Sequence, residues 1–172
     1  MKTRFLSFLI VPAVILAGSC GYHLVGHGGR FPAGVDLVAV PIFENVTKDK
    51  VIARRLTNHF IRELMATGKV KVVSPAEAKA EVRGKVTRYE VEPISFDVNR
   101  KATENRLLVA ADVELFLKGE EAPVFSEEGV TRYAEYPVSE TLSELQKEEE
   151  RAVEDVSQEL CQKIITLMTE GF

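Results

Sequence analysis

The chain has 172 residues, with 22 Lys and Arg against 26 Asp and Glu, for a formal net charge of −4. That length holds one domain with a real core, and the mildly acidic balance lacks the basic field that general nucleic-acid binding needs. Its two cysteines, Cys20 and Cys161, leave little room for a disulfide framework.

Lys2 and Arg4 form a positive tip, and Phe5 to Ala17 is apolar except for Ser7. About 13 apolar residues fall short of the roughly 20 that a membrane span needs. The stretch therefore reads as an export leader over residues 1–19. Ala17-Gly18-Ser19 suits an ordinary cleavage site, in which case Cys20 is incidental. The sharper reading is a lipobox, with small residues before a cysteine whose thiol and freed amine are acylated. Two or more acyl chains, at about 0.8 kcal/mol per buried CH₂, hold a domain at a bilayer without a transmembrane helix. Acylation of Cys20 leaves Cys161 as the one thiol and excludes an intramolecular disulfide. Buried packing on a helix is then the expected role of Cys161.

Residues 20–34 read as a lipidated tether, with five glycines between Gly21 and Gly34. His23 and His27 have a spacing that could pair on zinc, but two ligands in a glycine-rich stretch are a weak metal signal. The folded domain is assigned to residues 35–172.

Val35 to Phe43 is apolar and β-branched, which predicts a central strand, followed by a loop through Phe43 to Thr47. Asn45-Val46-Thr47 matches a glycosylation sequon by chance. Ile52, Leu56, Phe60 and Leu64, widened by Ala53 and Ile61, predict an amphipathic helix stopped at Gly68. Lys69 to Val73 follows as a short strand, so strand, helix and strand imply a parallel crossover.

From Ala80 to Val91 the alternation of Val82, Gly84 and Val86 loses phase near Arg88-Tyr89, which predicts a bulge or a change of partner before Pro93. Leu107, Val109, Ala111, Val113, Leu115 and Leu117 form the clearest strand, with Ala110, Asp112 and Glu114 outward. After the turn Lys118 to Glu121, Val124 to Tyr136 returns as a further strand. Thr141-Leu142-Ser143-Glu144 is a capping box, and Leu142, Leu145, Ala152, Val153, Val156, Leu160, Ile164 and Leu167 carry a long helix. Lys147 to Arg151 reads as its solvated face. The expected fold is an α/β (α+β) two-layer sandwich, a mixed sheet of four to five strands with two long helices packed on one face. Such a sheet leaves its other face open for binding.

Catalytic patterns are missing from the sequence: it holds no GxSxG elbow, no phosphate-cradling glycine loop and no HExxH. Adjacent pairs such as Glu120-Glu121 and Glu127-Glu128 are explained by solvation. No enzyme, cofactor or metal is expected.

The run CGYHL, a glycine tether, VAVPIFEN, a helix, KVKVVS, AEVRGKVTRY, PISFD and a closing amphipathic helix resembles the lipopolysaccharide-assembly lipoprotein family, LptE. The resemblance covers essentially the whole mature chain. It implies a non-enzymatic lipoprotein held in the inner leaflet of the outer membrane by acyl chains on Cys20. It also implies that the domain plugs the LptD β-barrel, assists the barrel's assembly and contacts lipopolysaccharide. Gly21 is not the aspartate that retains lipoproteins in the inner membrane, which agrees with outer-membrane sorting.

Lipopolysaccharide carries phosphates beside acyl chains, so its contacts should pair Lys or Arg with apolar surface. Arg100 and Lys101 in a turn, with Arg106 near by, Arg88 farther back and Ile94 and Phe96 close in sequence, are the candidates; an ordinary polar hairpin tip is the alternative. Two other functions fit parts of the chain. A lipoprotein regulator of a periplasmic peptidoglycan synthase would need a longer reach than about 14 tether residues, at most some 50 Å, provide. A hydrolase with Cys161 as nucleophile would need a reactive thiol.

Overall fold

The computed structural model describes residues 31–32 and 34–170. The expected leader, the candidate acylation site Cys20, the pair His23 and His27 and most of the expected tether lie outside the described residues. Eight elements follow in order: β1 (Leu37–Ala39), β2 (Glu44–Asn45), α1 (Ile52–Ala66), β3 (Lys71–Val72), β4 (Ala80–Phe96), β5 (Ala102–Leu117), β6 (Phe125–Pro137) and α2 (Leu142–Glu170). The sheet runs β3-β1-β4-β5-β6, with β2 also pairing β4. β1 lies parallel to both β3 and β4, while β4, β5 and β6 form an antiparallel meander. The sheet is therefore mixed, as expected, and its six strands include two of only two residues.

The first strand is shorter than its apolar run suggests. Only residues 37–39 pair; Pro41 has no amide hydrogen to extend the ladder, and the chain swings Phe43 inward. It rejoins β4 at Glu44 and Asn45, opposite Lys85 and Val86, where a loop was expected. The buried Phe43 amide donates to Thr57 Oγ1 at 3.0 Å, and that hydroxyl donates to the Ala53 carbonyl at 2.7 Å.

Helix α1 forms where the four-residue period places it. Asp49 Oδ1 accepts the amides of Val51 and Ile52 at 2.9 and 2.7 Å, satisfying two orphan donors of the first turn. Gly68, at φ +66°, supplies the left-handed residue that ends the helix. Ile52, Leu56, Phe60 and Leu64 are all buried, and His59 is buried beside them.

Strand β4 continues to Phe96, past Pro93, and its register shifts between Val86 and Arg88 and again between Pro93 and Ser95. The first shift is the predicted bulge, with Thr87 as the extra residue. The second lets the strand carry a proline without breaking. After the bulge Tyr89 and Val91 lie opposite Val109 and Leu107, whose side chains are wholly buried. On β5 the inward set Leu107, Val109, Ala111, Val113 and Leu115 is completely buried. Ala110, expected outward and solvated, is also buried, a small residue between Arg88 and Thr131.

The weak alternation of β6 has a local cause. Glu128 and Gly129 both face Asp112, whose Oδ1 accepts the Gly129 amide at 2.8 Å, and Gly129 has φ +65°. The outer edge of β6 pairs with no strand among the described residues, but the strand is guarded. Thr131 Oγ1 donates to the Gly129 carbonyl, Arg132 donates to the Thr131 carbonyl, and Pro137 lacks an amide hydrogen.

Helix α2 opens with Thr141 Oγ1 donating to Glu144 Oε2 at 2.7 Å, so hydroxyl and carboxylate meet each other rather than the backbone amides expected of the capping box. Leu142 is exposed, and the apolar stripe starts at Leu145. Segment Lys147 to Arg151 is more than a solvated face: Tyr89 donates to Glu149 at 3.4 Å, and Glu150 pairs with Arg55 at 3.3 Å. Both helices pack into one apolar cluster with the inward residues of the sheet. Among the described residues no element covers the opposite face of the meander.

Candidate functional site

Alternation puts Glu81, Arg83, Lys85, Arg88 and Glu90 of β4, Arg106, Asp112 and Glu114 of β5 and Tyr133 and Glu135 of β6 on the open face. The cations there are paired. Arg83 donates to Glu81 at 2.6 Å and lies 4.3 Å over the Phe116 ring. Arg106 donates to Glu135 at 2.7 and 3.2 Å and lies 4.7 Å over the Tyr133 ring. The hydrogen bond to Glu135 favours the charged guanidinium and raises the Arg106 pKa. Arg88 pairs with Glu90 at 3.3 Å. The face is lined by paired charges, and a depression of about 330 Å³ opens among Arg83, Lys85, Asp112, Glu114, Ser126 and Glu128, with Arg83 and Lys85 already held by Glu81 and Glu44.

The four candidate cations do not converge. Arg106 stands opposite Glu92 and Arg88 opposite Ala110, so at about 3.3 Å per residue they lie roughly 15 and 30 Å down the hairpin from its tip. Arg100 and Lys101 are together at the tip, and no carboxylate pairs with either among the described residues. Asp97, which interrupts the basic run in sequence, makes no ion pair with either cation. Its Oδ1 accepts the amides of Asn99 and Lys101 at 2.8 Å each, and its amide donates to the Lys101 carbonyl. That tight turn sets Arg100 at φ +62°, a region where glycine or asparagine is usual. Sequence reading passed over Val98, the bare apex of this turn, because one valine between polar residues has no period.

The other reactive side chains serve packing. Cys161 is buried, its thiol pushed up to about 12 by burial, and its Sγ lies 3.5 Å from the Leu56 carbonyl oxygen. His59 lies 2.9 Å from Glu154 through Nε2 and 2.9 Å from Arg62 through Nδ1, which joins α1 to α2. Since arginine only donates and carboxylate only accepts, the tautomer with hydrogen on Nε2 satisfies both contacts. A cleft of about 350 Å³ between α1, β4 and α2 is lined by Asp49, Arg55, Tyr89, Gln146 and Glu149, and its Arg55 and Tyr89 are already engaged. Among the described residues no cluster of His, Cys, Asp and Glu could hold a metal ion, and no helix is long and apolar enough to cross a membrane.

Two helices on one side, a charged sheet face on the other and a projecting hairpin define an α+β domain of the kind seen in solved bacterial lipoproteins. Lipoprotein B from Nitrosomonas europaea is similar at 18% identity and TM-score 0.57, over 87% of this chain and 90% of that one. Rare lipoprotein B from Shewanella oneidensis is similar at 18% identity and TM-score 0.54, over 79% and 96%. The PelC dodecamer from Paraburkholderia phytofirmans is similar at 18% identity and TM-score 0.53, over 81% and 93%. At these identities the likeness concerns the fold. No curated protein sequence matches significantly. The sequence profile of LptE, described as lipopolysaccharide-assembly, matches residues 35–168, and the chain belongs to that family.

Proposed function

We propose that this protein is a non-enzymatic outer-membrane lipoprotein, acylated at Cys20 after removal of residues 1–19. Its domain occupies the LptD β-barrel, supports that barrel's assembly and assists insertion of lipopolysaccharide into the outer leaflet. The observation that carries this reading is the family match, which spans nearly the whole described domain rather than one short motif. The open face supports it: a polar wall could be met there by charged side chains without burying an unpaired one. Within the proposed lipopolysaccharide contact, Arg100 and Lys101 come first because their charges are uncommitted. Arg88 and Arg106, each holding a glutamate, are secondary.

The test is a detergent pull-down of the full lipidated chain from its native envelope. Co-purification of a large outer-membrane β-barrel is expected; recovery of the chain without any barrel would sink the proposal.

A further inference from the structure

The β4–β5 hairpin outruns the sheet. On β5 the last residue paired with β6 is Glu104, opposite Pro137, so the turn and the residues flanking it stand beyond the third strand. At the apex Val98 is 98% exposed, and Phe96 below it is 58% exposed. Turns favour Gly, Asn, Asp and Ser, so a bare valine there needs a reason. Arg100 and Lys101 stand beside it in no ion pair among the described residues, while of the two nearby carboxylates Asp97 accepts backbone amides and Glu104 accepts the Ser95 hydroxyl. Arg100 is kept in a left-handed conformation that glycine would adopt without strain.

We propose that this tip is a lipid wedge: Val98 and Phe96 enter the acyl boundary of an anionic phospholipid layer, and Arg100 and Lys101 hold its phosphates. Charge complementarity argues for this occupant. The apex needs hydrocarbon and the cations need anions a few ångströms away, an arrangement found at the headgroup boundary of an anionic bilayer. The wedge goes beyond the lipopolysaccharide contact proposed above by making Val98 the inserting apex and an anionic phospholipid layer the occupant. It also lies far from the chain's entry into the sheet. β1 pairs with Ala80 and Glu81 at the start of β4, roughly 50 Å from Phe96 along the strand, so the tip is a second lipid contact, remote from the proposed anchor.

The chain contains no tryptophan, so Val98→Trp gives the full-length protein a single reporter at the tip. Val124→Trp, beyond the other end of β5, serves as the control. With phosphatidylglycerol vesicles the tip reporter should shift to the blue and be quenched by brominated acyl chains, while phosphatidylcholine vesicles and the control reporter give neither change. Adding Arg100→Gln and Lys101→Gln should weaken tip insertion roughly thirtyfold, from the usual increment per cation at an anionic surface, and abolish the shift. An unshifted tip reporter, an equal response at position 124, or a shift confined to lipopolysaccharide aggregates would each overturn the wedge. None of these outcomes depends on recovery of a barrel, so the wedge and the translocon proposal stand or fall separately.

Discussion

The ring of Phe43 lies against the backbone of Gly84, so closely that a β-carbon at Gly84 would stand 2.5 Å from Phe43 Cδ2. The same ring meets Phe60 with centroids 5.5 Å apart, which joins β4 to α1 through one side chain. Gly84 thus looks like a weak link in a strand but is the floor of an aromatic seat.

Gly84→Ala should therefore lose about 1–3 kcal/mol of stability by overpacking, measured as a fall in the urea midpoint. Combined with Phe43→Ala, its cost should largely vanish, because the ring it displaces is gone. Strict additivity of the two changes would refute the contact.

Thr57 closes a second link to the same segment. Thr57→Val keeps the shape but leaves the buried Phe43 amide without an acceptor, at a cost of about 1–3 kcal/mol. Thr57→Ser should recover most of it in thermal unfolding.

Cys161 makes a prediction about pH. Its thiol is pushed from 9.0 to about 12 by burial, so the folded chain keeps a proton that the unfolded chain releases. Stability contributed by the neutral thiol is complete below pH 9, declines as pH rises above it and levels off beyond about 12. Tyr89 and Tyr136, both raised chiefly by burial, add to the decline from about pH 10. Cys161→Ala should flatten the early part of this alkaline loss in denaturant titrations at stepped pH, and the native protein should resist iodoacetamide at pH 8. Rapid alkylation of the folded state would revive the nucleophile reading.

At the tip, Arg100→Glu with Lys101→Glu should weaken lipopolysaccharide binding roughly tenfold or more, by loss of two charge-assisted contacts, with an unchanged circular dichroism spectrum. Arg88→Gln and Arg106→Gln should do less, since each removes a charge already held by a glutamate. Equal binding by the tip variant and the native chain would remove the site.

The two helices and the long strands were legible because their apolar periods are strong: Ile52 to Leu64 at four residues, Leu107 to Leu115 at two. The bulge after Val86 was legible as a loss of phase. Pairing between distant segments was not. Nothing local shows that Glu44 and Asn45 return to β4, because that pairing follows from where Phe43 finds room on Gly84. Likewise Arg106 meets Tyr133 and Glu135 only once the β5–β6 register is known, and the bulge at Gly129 sets that register. The candidate cations were identifiable as residues, but their separation along the hairpin was not, because β4 runs through Pro93 where the sequence suggests an end.

The guards on β6 decide how this domain can live beside proteins made of strands. With Gly129 and Thr131 carbonyls occupied by side chains and Pro137 closing the end, the β6 edge does not invite a neighbour to continue it. A barrel that receives the domain would hold it by complementary side chains, as a separate folded body. At the β6 edge the domain's strands and the barrel's would keep their own hydrogen bonds, so parting there would unravel neither.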